Sequence, residues 1–173
     1  MFPWRLTKPM ISGDFQNEEE LQEFVVENLA DIFERLTGEK IASFEEQRAI
    51  NPVLASVSRS MSGGIMDIFA TDQKGKEWII ELKNSRGNKT KVRNTTLEGM
   101  AQIFFYAAQM SLINKRSSLS DKEYGKILIL TKQNDEAFHT IEKFGQGMIV
   151  GIATKDAIYR FDGSEEKTGS QVL

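Results

Sequence analysis

"GGIMDIFATDQKGKEWIIELKN" (residues 63–84) reads as two apolar runs joined by a polar turn, with Asp67 set in the first run and Glu81 and Lys83 in the second. The spacing predicts strands over 65–71 and 77–83, and "DQKGK" supplies the turn residues of a hairpin. If the loop runs from Asp72 to Lys76, Thr71 faces Glu77, and counting back brings Asp67 opposite Glu81. Alternation then puts Met66, Ile68, Ala70, Trp78, Ile80 and Leu82 on one face, which is wholly apolar and must be core. Ile65, Asp67, Phe69, Glu77, Ile79, Glu81 and Lys83 share the other face.

Opposed residues hold their Cβ atoms about 4.5–5.5 Å apart, and like charges there are destabilising. Such a pair persists if a cation sits between the carboxylates or if they share one proton. A hard divalent ion with oxygen ligands suits two carboxylates, Mg²⁺ first and Mn²⁺ close behind. Lys83, two residues on and on the same face, would orient a water or stabilise developing phosphate charge. The tripeptide itself carries little weight, because an acid, any residue and a lysine recur at Asp72/Lys74 and Glu165/Lys167. Only the copy at 81–83 lies in an apolar strand with an acid opposite. Were these edge strands with a solvated face, all three groups would be ordinary surface charge.

The flanking segments build outward from the hairpin. Residues 18–36 place Leu21, Val25, Leu29, Ile32 and Leu36 on one helical stripe, with Asn17 as N-cap and Gly38 as the stop. Glu18 falls at the middle of that stripe and is the first-helix acid best placed to reach the sheet; a first-turn glutamate is also favoured by the helix dipole alone. A loosely alternating strand is expected over 43–50. A second helix, 96–113, is apolar nearly all round except for Glu98, Gln102, Tyr106 and Gln109. Gln102 and Tyr106, one turn apart, would face a polar site; the same stripe also suits a dimer contact or the terminal hairpin. "KILILT" (126–131) reads as a buried strand, 134–144 as a short helix, and "GMIVGIAT" with "AIYRFDG" as a closing hairpin. The sum is a mixed α/β sandwich around one sheet.

Between strand and second helix, no acid occurs from Leu82 to Leu97, while Arg86, Lys89, Lys91 and Arg93 follow Lys83. The segment reads as a mobile basic loop tethered to the candidate site, with a phosphate backbone as its counterpart. A net charge of −3 over 173 residues means that any nucleic-acid binding must come from such a local patch. The absence of cysteine excludes disulfides and thiolate metal sites, and the single His139 excludes multi-histidine zinc chemistry. No run is long and apolar enough for a membrane span or a secretory signal, so a cytoplasmic single domain is expected, with its core over about 15–162 and a fraying tail at 163–173.

With these residues in place, the chain resembles the PD-(D/E)XK nuclease superfamily. The resemblance rests on a helical glutamate, Asp67, "ELK" at 81–83 and "QIFFY" in the following helix, similar to the Gln-x-x-x-Tyr motif of several branches. It covers roughly residues 15–132. It departs at Met66, where the motif has proline. The resemblance implies a restriction-endonuclease-like αβββαβ core followed by a C-terminal β-hairpin. It also implies a Mg²⁺-dependent nuclease, acting on DNA ahead of RNA, in which Mn²⁺ substitutes. Asp67, Glu81, Leu82 and Glu18 would surround the metal, Lys83 would act on water or phosphate, and Gln102 and Tyr106 would contact substrate or support the site. The alternative is the same fold used to bind nucleic acid or a partner without cutting. A homodimer is a further expectation.

Overall fold

The computed structural model describes residues 15–50, 64–114, 123–155 and 157–161, together with the backbone of residues 4–5. Seven strands form one sheet: β1 (Trp4–Arg5), β2 (Ile41–Ala49), β3 (Ile65–Asp72), β4 (Glu77–Lys83), β5 (Tyr124–Leu130), β6 (Ile149–Ala153) and β7 (Ala157–Phe161). Their order is β1-β7-β6-β5-β4-β3-β2. The middle three, β4, β5 and β6, run parallel, and the pairs outside them are antiparallel. Parallel strands covered on both faces should read as unbroken apolar runs, and all of β5 is buried.

Helices α1 (Glu18–Glu27) and α2 (Leu29–Thr37) cover one face, while α3 (Lys89–Ile113) and α4 (Asp135–Phe144) cover the other. Phe24, Val25, Phe33 and Leu36 pack on Ile68, Ala70, Ile80 and Leu82. Ile103, Ala107, Phe138 and Ile141 pack on Phe69, Ile79, Leu128 and Val150. Five of the six residues assigned to the apolar face of the hairpin lie in the first cluster. Met66 is the exception and belongs to the second. The β3–β4 ladder stops at Ile68, and the start of β3 before it pairs with β2 alone.

Two expectations need correction. The helix over 18–36 is two helices, broken at Asn28, whose side chain donates to the Phe24 carbonyl at 2.9 Å. Asparagine competes for backbone groups in this way and turns the chain, while the apolar stripe runs on across the break. The segment after β4 is not a mobile loop through residue 95. The second long helix begins at Lys89, where the Asn88 side chain caps it by accepting from the Lys91 amide at 3.0 Å. Lys89, Lys91 and Arg93 therefore stand on the first turns of α3. The expected caps at Asn17 and Gly38 are both present, Gly38 at φ +77°. The proposed tail and the Glu165/Lys167 pair lie outside the described residues.

Candidate active site

The hairpin is built from its turn. Asp72 accepts from the Lys74 and Lys76 amides at 2.9 and 3.0 Å and from the Trp78 indole at 3.0 Å, fixing both loop and register. Thr71 pairs with Glu77 as the turn length requires, and the ladder continues to Ile68 with Ile80. There it opens. In place of a further ladder bond, the Asp67 carboxylate accepts from the Leu82 amide at 2.9 Å. The register thus brings Asp67 and Glu81 to the same end of the hairpin, where the strands part.

Glu81 is only 2% exposed and Lys83 8%. The Lys83 ammonium is 3.6 Å from one Glu81 oxygen, and the other, Oε2, has no hydrogen-bond partner among the described residues. Burial, then the Asp67 charge, pushes the Glu81 carboxyl up to about 8, against a weaker opposing pull from Lys83. Burial also raises Asp67, although the Leu82 amide and Lys83 draw it down. Two carboxylates are being held together against their charge, with one oxygen unused.

Glu18 stands exposed at the start of α1, near enough for its charge to raise Asp67. Among the described residues no three His, Cys, Asp or Glu side chains form a group able to hold a metal ion, so Glu18 is not drawn into one cluster with Asp67 and Glu81. Leu82 buries its side chain in the core, which leaves only its backbone carbonyl as a donor oxygen. Tyr106 lies close enough to feel both carboxylates: burial first, then Glu81 and Asp67, pushes its hydroxyl up to about 12. That hydroxyl donates to the Ile65 carbonyl at 3.1 Å, so Tyr106 anchors the start of β3. Gly64, at φ +77°, makes room for it, since a Cβ there would come within 2.8 Å of the tyrosine ring. Gln102 is half-buried, and its Oε1 has no hydrogen-bond partner among the described residues. Arg86, Lys89 and Lys91 are exposed, while Arg93 reaches Glu136 at 3.5 Å.

Two contributors escaped the sequence reading. Gln47 in β2 places Nε2 3.4 Å from Asp67 Oδ1 and 2.6 Å from Gln22 Oε1 on α1, linking helix and acid. Its backbone has φ +48°, unusual for a residue with a side chain. Its neighbours pair with Ile68 and Met66, so it sits across from Asp67. Gly99 lets α3 close onto the site, because a Cβ there would lie 3.0 Å from Lys83 Cγ and 2.6 Å from Leu128. The positive φ at Gln47 has no sequence signal.

No family model and no curated protein matches the chain. Among solved structures it is similar to a repair endonuclease from Pyrococcus abyssi, at 16% identity and a TM-score of 0.52, over 84% of this chain and 50% of that one. It is also similar to EndoMS in a complex with dsDNA2 (17% identity, TM-score 0.46, 84% and 48% covered) and to EndoMS in apo form (21%, 0.41, 79% and 46%). The chain spans about half the length of each. The first likeness, together with the element order, shows that the chain has a restriction-endonuclease-like fold.

Proposed function

We propose that the chain is a divalent-metal-dependent nuclease that hydrolyses phosphodiester bonds at Asp67, Glu81 and Lys83. The observation that carries this reading is the meeting of buried Glu81 and half-buried Asp67 where β3 and β4 part, with one oxygen of Glu81 unpartnered among the described residues and Lys83 alongside. A cation between them fits: the donors are all oxygen, the orphaned Glu81 Oε2 needs a partner, and positive charge would favour the ionised form that burial opposes. Asp67, Glu81 and the Leu82 carbonyl would hold Mg²⁺, or Mn²⁺ in its place, with Glu18 reaching it through water. When bound, the ion supplies an activated water and neutralises charge on the departing oxygen.

The chain's own residues do the rest. Lys83, held in place by Glu81 and by the close approach of α3 at Gly99, presents its ammonium to the reacting phosphate and stabilises the charge that develops there. Asp67 is oriented by the Leu82 amide and Gln47. Tyr106 holds the start of β3, and Gln102 on the same helix face would turn its amide to substrate. Arg86, Lys89 and Lys91 would grip the backbone without reading sequence. A repair endonuclease shares the fold, which supports DNA ahead of RNA.

Incubating the protein with labelled single-stranded, duplex and mismatched DNA and with RNA, in Mg²⁺, Mn²⁺ or EDTA, tests the proposal. Metal-dependent cutting of DNA is expected. Binding without cutting under every condition would make the chain a non-catalytic nucleic-acid module.

A further inference from the structure

We propose that the pocket outside the carboxyl ends of β4, β5 and β6 is a phosphate subsite, which holds a phosphate of the substrate strand next to the one attacked. It rests on the nuclease reading only for what carries the phosphate. The cavity measures about 430 Å³. Because the three strands run parallel, their ends open on the same side, the edge at which open α/β sheets bind ligands. Each strand leaves the sheet with a hydroxyl residue followed by a cation within two residues of its end or just beyond: Ser85–Arg86, Thr131–Lys132 and Thr154–Lys155.

The hydroxyls have different fates. Thr131 donates to Asn84 Oδ1 at 3.0 Å and Thr154 to the Ala157 carbonyl at 3.2 Å, so both shape the loops. Ser85 is 0% exposed, and its Oγ has no hydrogen-bond partner among the described residues. A buried hydroxyl left without a partner costs free energy, and a pocket-lining one is explained by a ligand it serves. The charges agree. Lys155 is 3.5 Å from Glu20, whose carboxylate also feels Arg86, while neither Arg86 nor Lys132 is in an ion pair among the described residues. Among the described residues the lining holds three cations and no carboxylate, with Glu20 paired to one of them, which makes this mouth locally positive in a chain of net charge −3.

Distance supplies the link to the chemistry. Ser85 is two residues after Lys83, so their Cα atoms lie within about 7 Å. A strand laid across Asp67 and Glu81 would bring its neighbouring phosphate to this pocket. Hydroxyl and cationic donors from several loops suit a phosphate with several acceptor oxygens.

Binding tests the subsite without relying on catalysis. Inorganic phosphate, and short oligonucleotides ending in 5′-phosphate, 3′-phosphate or hydroxyl, would be titrated in Ca²⁺ into wild type, Ser85→Ala and Lys132→Ala. Ser85→Ala should leave the unliganded protein as stable as wild type or more so, because it removes an unpartnered group. It should nevertheless weaken phosphate binding about tenfold, as should Lys132→Ala. A preference for one phosphorylated end, lost in Ser85→Ala, would identify a terminal monoester. Tenfold weaker binding of every oligonucleotide, whatever its ends, would identify an internal diester. Equal affinity of all three proteins for phosphate and every oligonucleotide would overturn the subsite. Phosphate binding that needs Ser85 and Lys132, in a protein that cuts no nucleic acid, would keep the pocket and remove the nuclease reading.

Discussion

The two ends of the β3–β4 hairpin put buried carboxylates to opposite uses. At the turn, Asp72 is 3% exposed and both its oxygens are taken, by two loop amides and the Trp78 indole. At the open end, Glu81 is as deeply buried, yet one oxygen has no partner among the described residues and Asp67 stands beside it. Burial therefore does not distinguish the two acids here. What separates them is whether the acid's hydrogen bonds are complete, because an incomplete set leaves room for a ligand. The turn end should fail by losing stability, and the open end by losing chemistry.

The largest effect should come from the open end. Glu81→Gln, Asp67→Asn and Lys83→Ala should each lower the single-turnover cleavage rate by a factor on the order of 10² to 10³, the scale for losing one preorganised charged group. Circular dichroism should find all three folded. Near-normal cleavage by Lys83→Ala would demote that lysine to a packed partner of Glu81.

The turn end should show the reverse. Asp72→Ala strands three donors and should cost about 1–3 kcal/mol of stability in urea denaturation. Its cleavage rate at a temperature where it stays folded should be close to wild type. An Asp72→Ala protein that is fully stable but inactive would dissolve the distinction between the ends.

A pH series sharpens the contrast further. The Glu81 carboxyl lies near 8 in the folded chain and near 4.5 when unfolded, so between those values the folded state holds a proton that the unfolded state has released. Stability from this group is full below about 4.5 and is lost as pH rises toward 8. In EDTA, Tm should fall over that window, and Glu81→Gln should flatten the fall. A metal-free Tm that climbs steadily through the window in wild type, and identically in Glu81→Gln, would contradict the assignment.

The smallest effect concerns the basic turns of α3. Arg93 is held by Glu136, so Lys89 and Lys91 are the freer cations. Their double replacement by alanine should flatten the slope of log K against log salt by roughly 1.4–1.8, at about 0.7–0.9 per phosphate contact. Fluorescence anisotropy in Ca²⁺ reads the slope, and an unchanged slope would leave these lysines as solvated surface.

Much of this was legible in the sequence where the information is local. Period-two alternation around a turn placed the hairpin, and acids inside apolar runs marked Asp67 and Glu81. The break at Asn28 was hidden because Leu21, Val25, Leu29, Ile32 and Leu36 keep one stripe across it. The true start of α3 was hidden because "KTKVRNTT" has no apolar period; Val92 and Thr96 are buried there, and Asn88 caps the end. Gln47 at Asp67, Gly99 over Lys83 and the three loops around Ser85 are meetings of distant segments, which only the sheet order brings together.

If the incomplete end of the hairpin is a cation site and the complete end is not, the two ends should differ in metal binding. Calorimetric titration of Mn²⁺ into wild type, Glu81→Gln and Asp72→Asn tests it directly. One site is expected in wild type, with at least tenfold weaker binding in Glu81→Gln and unchanged binding in Asp72→Asn. Equal binding by all three proteins would contradict it.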